Sequence, residues 1–161
     1  MLAVYGAWLA FHPGHFGWID SLDLAIHEAG HPLFGIFGEF IGFAGGTLMQ
    51  LLVPAVFFGY FWRHDDRHAA TVMAWWIAHN LWNIARYIAD ARAEELPLVG
   101  GGEHDWAYLL GELGLLRQDL AIAHAVHFAG VLVLLWSCLA GWMYAGTAGR
   151  GGGAGKGVPE L

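Results

Sequence analysis

The stretch "LDLAIHEAGHPLFG", residues 22–35, sets His27, Glu28 and His31 inside an otherwise apolar run. On a helix, residues i and i+4 share a face about 6 Å apart, so His27 and His31 can turn both imidazoles toward one metal ion. Glu28, next to the first of them, is placed to take a proton from a water at that ion. Ionisable groups inside a membrane segment cost roughly 2.5–3.5 kcal/mol each, so this cluster requires a compensating partner. A divalent cation bound by neutral imidazoles is one such partner. Hydrogen bonding to neighbouring helices would also account for the cluster. Haem ligation would leave Glu28 without a role, and paired haem ligands normally come from different helices.

The elements that hold these residues are set by composition. Of 161 residues, 57% are hydrophobic and 13% charged, against about 45–50% and about 25% in an ordinary soluble domain. That balance is the composition of an integral membrane protein. Nine tryptophans, ten phenylalanines and five tyrosines fit the headgroup layer, where amphipathic rings are favoured. Trp62, Trp75, Trp76, Trp82, Trp106 and Trp142 are placed to serve there. A net charge of −7 with only seven Lys and Arg excludes nucleic acid as a partner, because phosphate binding needs clustered cations. Cys138, the single cysteine, forms no intramolecular disulfide and says nothing about redox compartment.

A spanning helix needs about 20 predominantly apolar residues, and four windows approach that length: Ile19 to Phe43, Thr47 to Trp62, Ala69 to Ala91 and Leu120 to Ala145. "GFAGGT" (42–47) reads as the reversal between the first two, and "RHDDRH" (63–68) as the break after the second. Pro54 should kink the second window. Between the third and fourth, "RAEELPLVGGGEHDWAYLLGELGLLRQD" reads as a loop entering a short amphipathic helix on the membrane surface. Trp106, Leu109, Leu110, Leu113 and Leu116 recur there at helical spacing. The opening "MLAVYGAWLAF" is too short to span and lacks the basic region of a signal peptide, so it reads as an interfacial or partly inserted leader. The expectation is an all-α integral membrane bundle of about four transmembrane helices plus one short interfacial helix. Residues 1–146 form the domain, and 147–161 a disordered glycine-rich tail. Four spans place both termini on one side. Arg63, Arg67, Arg150 and Lys156 lie there against Arg92 and Arg117 on the other, which favours cytoplasmic termini in a bacterial inner (plasma) membrane. His27 then lies within about two turns of that side.

"HEAGH" resembles the zincin signature of zinc metallopeptidases. On a transmembrane helix it looks like the site-2 protease class of intramembrane metalloproteases. The resemblance covers about 20 residues, and it implies that His27 and His31 bind Zn2+ and that Glu28 is the general base. That class carries a second motif, N-x-x-P-x-x-x-L-D-G, whose aspartate is the third ligand, and no segment here reproduces it.

A catalytic zinc keeps three protein ligands and one water, so the third ligand must be argued. His104 stands first, in "GGGEHDW" after a glycine run that lets the loop fold back, with Asp105 beside it. As alternatives, His104 is a solvated loop residue and Asp105 a helix cap. Asp90 ends a polar stripe, His79, Asn83, Arg86 and Asp90, on one face of the third window. Such a stripe faces the bundle interior, and an Arg86–Asp90 ion pair would also explain it. His79 is a candidate by depth, unless it bonds to Asn80 or Asn83. Asp23, one turn before His27, can orient its imidazole or mark the helix start with Asp20 and Ser21. Thr47, Gln50 and Asn83 are candidates to support the site, the first two as donors to an oxyanion. His124 and His127 should face the same polar interior.

The function expected is a membrane-embedded, zinc-dependent metallopeptidase that hydrolyses a peptide bond in or near the bilayer. Its partners would be the lipid and a membrane peptide or protein. A non-catalytic metal-binding or purely structural helical membrane protein is the alternative. Four spans leave little room for a water-filled site, which a homo-oligomer would help to enclose.

Overall fold

The computed structural model describes residues 1–12, 14–99 and 102–148, with side chains through residue 145. These residues form six α-helices and no strand: α1 Leu2–Ala10, α2 Trp18–Gly35, α3 Glu39–Arg63, α4 Arg67–Ala89, α5 Asp105–Glu112 and α6 Asp119–Ala148. A 3-10 turn, Leu116–Gln118, precedes α6. Most of the expected tail lies outside the described residues, and Thr147 and Ala148 continue α6.

The break between the first two windows falls earlier than the glycines suggested. α2 ends at Gly35 and α3 begins at Glu39, across a short turn whose Gly38 has φ 110°. Left-handed backbone of this kind suits a residue without a Cβ. "GFAGGT" is therefore helix rather than reversal, and its glycines serve close approach. A Cβ on Gly45 would lie 2.7 Å from the Gly30 carbonyl oxygen, so α2 and α3 cross with their backbones nearly touching, as small residues permit. Pro54 sits inside α3, which continues through it.

α3 and the stretch Leu116–Ala145 are long and apolar enough to cross a membrane. Their outward faces carry Leu48, Leu52, Val56 and Phe57 on α3, and Phe128, Leu132, Leu135 and Leu139 on α6, all exposed. The interior also holds polar groups: Asp20, Asp23 and His27 of α2, and Thr71, His79 and Asn80 of α4, are buried. The exposed apolar surface is large, and buried polar groups sit beside the apolar core.

α1, the expected interfacial or partly inserted leader, packs against the bundle. Leu9 and Ala10 are buried with Trp75, Ala78 and Trp82 of α4 and Leu134 of α6. The short helix α5 likewise turns apolar surface to the protein. Leu110 joins Ile84, Ile88 and Ala123 in a second core cluster, with Trp106 and Leu116 packed against it. Leu113 remains exposed beyond its end. The tryptophans divide in the same way. Trp75 and Trp82 are core residues and Trp142 is exposed, while Trp62 lies under the Arg67 guanidinium, 4.1 Å from its ring centre.

Candidate metal centre

His27 and His31 sit one turn apart on α2, with ring centres 5.0 Å apart. The ring of His27 rests on α3 where Gly46 leaves space, and a Cβ there would stand 2.6 Å from its Cδ2 and Cε1. Each imidazole is held from behind. The Nδ1 of His27 donates to Gln50 Oε1 at 3.1 Å, and the Nδ1 of His31 donates to the Gly42 carbonyl at 2.9 Å. A neutral imidazole with its proton on Nδ1 presents a lone pair at Nε2. Both Nε2 atoms therefore point forward as acceptors.

In front of them stands Asp105, the first residue of α5. Its Oδ2 lies 2.9 Å from His27 Nε2 and 3.4 Å from His31 Nε2. Three acceptor atoms this close repel one another unless positive charge sits among them. A single imidazolium at His27, donating its Nε2–H to Asp105 at 2.9 Å, would supply it for that pair and leave His31 Nε2 facing the same oxygen at 3.4 Å. One divalent ion supplies it with a single particle. Donor atoms about 2.0–2.1 Å from a tetrahedral zinc are about 3.3–3.5 Å apart, close to the separations seen here. The donor set fits the metal. Glu28 belongs to the same cluster, with one ligand atom each from His27, Glu28 and His31 lying within 4.8 Å of the other two.

His104, the residue expected first as third ligand, is placed elsewhere. It caps α5, its Nδ1 accepting the Ala107 N–H at 3.2 Å, while its ring lies against Tyr87 and its Nε2 is 3.3 Å from Asp90. Asp90 is turned to the following loop, accepting from the Glu95 and Leu96 amides at 3.0 Å each. No Arg86–Asp90 ion pair is among the described contacts. His79 is bound up with α2, 3.0 Å from Asp23 and 3.4 Å from Asp20. Asp23 also accepts from Trp76 Nε1, so its carboxylate orients His79 rather than His27. Asn83 donates to Asp20. These contacts join α2 to α4 through a buried polar cluster distinct from the metal centre.

The supporting residues are partly different from those expected. Gln50, expected to face an oxyanion, instead fixes the His27 ring. The Thr47 hydroxyl is buried without a partner. His124 is exposed, and His127 lies beside Trp82. Tyr87 was not singled out from sequence. Its hydroxyl accepts the Asp105 N–H at 3.3 Å, and its ring is 5.8 Å from that of His27. Its position one residue after Arg86 in the polar stripe was the available signal.

Two cavities meet at Glu28 and Tyr87. One, of about 400 Å³, is lined by His31, Glu39, Phe43, Glu103 and Asp105. The other, of about 410 Å³, runs along α2 and α4 past His27, Leu24, Ile84 and Arg86. Leu98 and Val99 line both. Comparison with family models, with curated proteins and with solved structures finds no match to this chain.

Proposed function

We propose that this chain is a membrane-embedded, zinc-dependent metallopeptidase acting on a peptide bond within or beside the bilayer. The observation that carries the reading is the convergence of His27 Nε2, His31 Nε2 and Asp105 Oδ2 beside Glu28. His27, His31 and Asp105 would hold the ion, and two imidazoles with one carboxylate form a ligand set of catalytic rather than closed structural zinc sites. When bound, the ion supplies Lewis acidity, making a water a stronger acid and polarising a carbonyl. Glu28 takes the proton and returns it to the leaving amine, since its side chain borders both cavities from which water and peptide would enter. Gln50 and the Gly42 carbonyl keep the two rings in the Nδ1–H form that leaves Nε2 free to ligate. Tyr87 uses its oxygen to accept from Asp105, and its own proton has no acceptor among the described residues. That proton is available to a developing oxyanion.

In the same reading α2 and α4 cross the membrane with α3 and α6, their polar faces turned inward. Both termini then lie in the cytoplasm.

The test is the zinc content of detergent-purified protein. Wild type should carry about one zinc per chain. His27→Ala and Asp105→Ala should lose it, and Glu28→Gln should keep it while peptide turnover falls by at least about 100-fold. A folded wild type without zinc would remove the metallopeptidase reading. Zinc present without peptide turnover in wild type would leave a non-catalytic metal site, and turnover unchanged in Glu28→Gln would remove Glu28 as the base.

A further inference from the structure

The cavity along α2 and α4 contains a cation that pairs with no carboxylate among the described residues. Arg86, half-buried on α4, lines it together with His27 and Glu28. Among the described residues its guanidinium makes no hydrogen bond or ion pair. Glu28, on the same wall, makes no hydrogen bond or ion pair with it, and the other neighbouring carboxylates are engaged elsewhere. Asp90, one turn on, has both oxygens on the Glu95 and Leu96 amides. Asp20 holds the Gly17 amide and Asn83, and Asp23 holds Trp76 and His79. Asp105 faces the two metal-site histidines. Beside these polar groups the wall is apolar, with Leu24, Ile84, Leu96 and Pro97.

A guanidinium in apolar surroundings is matched best by a carboxylate, which takes two parallel N–H bonds from its fork. Asp20, Asp23 and Glu28 also line the Arg86 cavity, but the cavity on the other side of Glu28 has Glu39, Glu103 and Asp105 in its wall and no lysine or arginine among its described lining. An anionic group is repelled there and drawn to Arg86. We propose that Arg86 is a substrate-binding residue that receives a carboxylate of the peptide, carried next to an apolar side chain seated against Leu24, Ile84 and Leu96. The proposal rests on the peptidase reading for the statement that the ligand is a peptide. The carboxylate belongs either to a free C-terminus or to an acidic side chain.

Binding to the full-length Glu28→Gln protein tests this without relying on turnover. Three probes are titrated calorimetrically: N-acetyl-Leu-Leu with a free carboxylate, the same dipeptide as its amide, and N-acetyl-Leu-Asp amide. At least one carboxylate probe should bind about 10-fold tighter than the neutral amide, and the difference should fall to within about 2-fold when Arg86→Gln is added. Which of the two binds tighter identifies the source of the carboxylate. Equal binding of all three, binding of none, or a preference that survives Arg86→Gln overturns the proposal. Should Arg86→Gln not fold, as judged by zinc content and helical circular dichroism, Arg86→Lys carries the test. Loss of the planar fork should shrink the preference several-fold, and an unchanged preference overturns the proposal. Wild-type turnover is measured separately. No cleavage with the carboxylate preference intact removes the peptidase reading and leaves Arg86 as an anion site. Cleavage without any preference does the reverse.

Discussion

A side chain at an N-cap turns back toward the amides of its own first turn, whereas the residue after it is free to point onward. His104 and Asp105 are both able to ligate a metal, and this local rule separates them: the imidazole accepts from Ala107, and the carboxylate reaches His27 and His31. His104→Ala should therefore keep zinc at full stoichiometry with an affinity lowered by about 10- to 100-fold, because α5 loses its cap and Asp105 its support. Competition with a chromophoric chelator measures this. A complete loss of zinc in His104→Ala, as in Asp105→Ala, would return the imidazole to the ligand set. The same rule explains what was legible at this scale. "HEAGH" reads directly because its geometry is that of one helix turn, intrinsic to residues four apart. Asp105 lies 78 residues from His27, and nothing local distinguishes it from the histidine beside it until the start of α5 is known. Histidine is not a favoured cap and aspartate is, so propensity pointed the wrong way.

Among the elements, hydropathy located α3, α4 and α6 to within a few residues, except at the start of α3, because long apolar runs impose themselves on any chain. The α2–α3 boundary was hidden by glycines with two different uses. Gly38 supplies a positive φ at the true turn, while Gly45 and Gly46 lie inside a helix and bring α3 against Gly30 and His27. A sequence pattern does not separate a glycine that bends the chain from one that lets another helix approach. Gly46→Ala tests the second use. Its methyl would enter the space of the His27 ring, which must swing away from Gln50 and Asp105, and zinc affinity should fall by at least about 10-fold. Gly59→Ala, on the same helix with open space around its Cβ position, should leave affinity unchanged. Equal behaviour of the two variants would mean that the crossing of α2 and α3 does not position the ring.

For the whole molecule, the depth of the metal centre follows from α3. His27 lies level with Gln50, near the middle of this helix of 25 residues, so a membrane crossed by α3 places the centre near its midplane rather than within two turns of one face. At such a depth polar groups are favoured when they meet one another, and most of the buried ones lie in two clusters, His27–His31–Asp105 and Asp20–Asp23–His79. The sidedness of α3 is open to direct test. The turn before it contains Phe37, and the turn after it Asp66; both are exposed. In a Cys138→Ser background, which removes the single native thiol, Phe37→Cys should react with a membrane-impermeant maleimide in intact cells. Asp66→Cys, flanked by Arg63 and Arg67, should react only after the membrane is opened. Labelling of both from one side would mean that α3 does not cross and that the centre opens on a surface. The reverse assignment would keep the midplane site but place both termini outside, and peptides would then approach Glu28 from the opposite compartment.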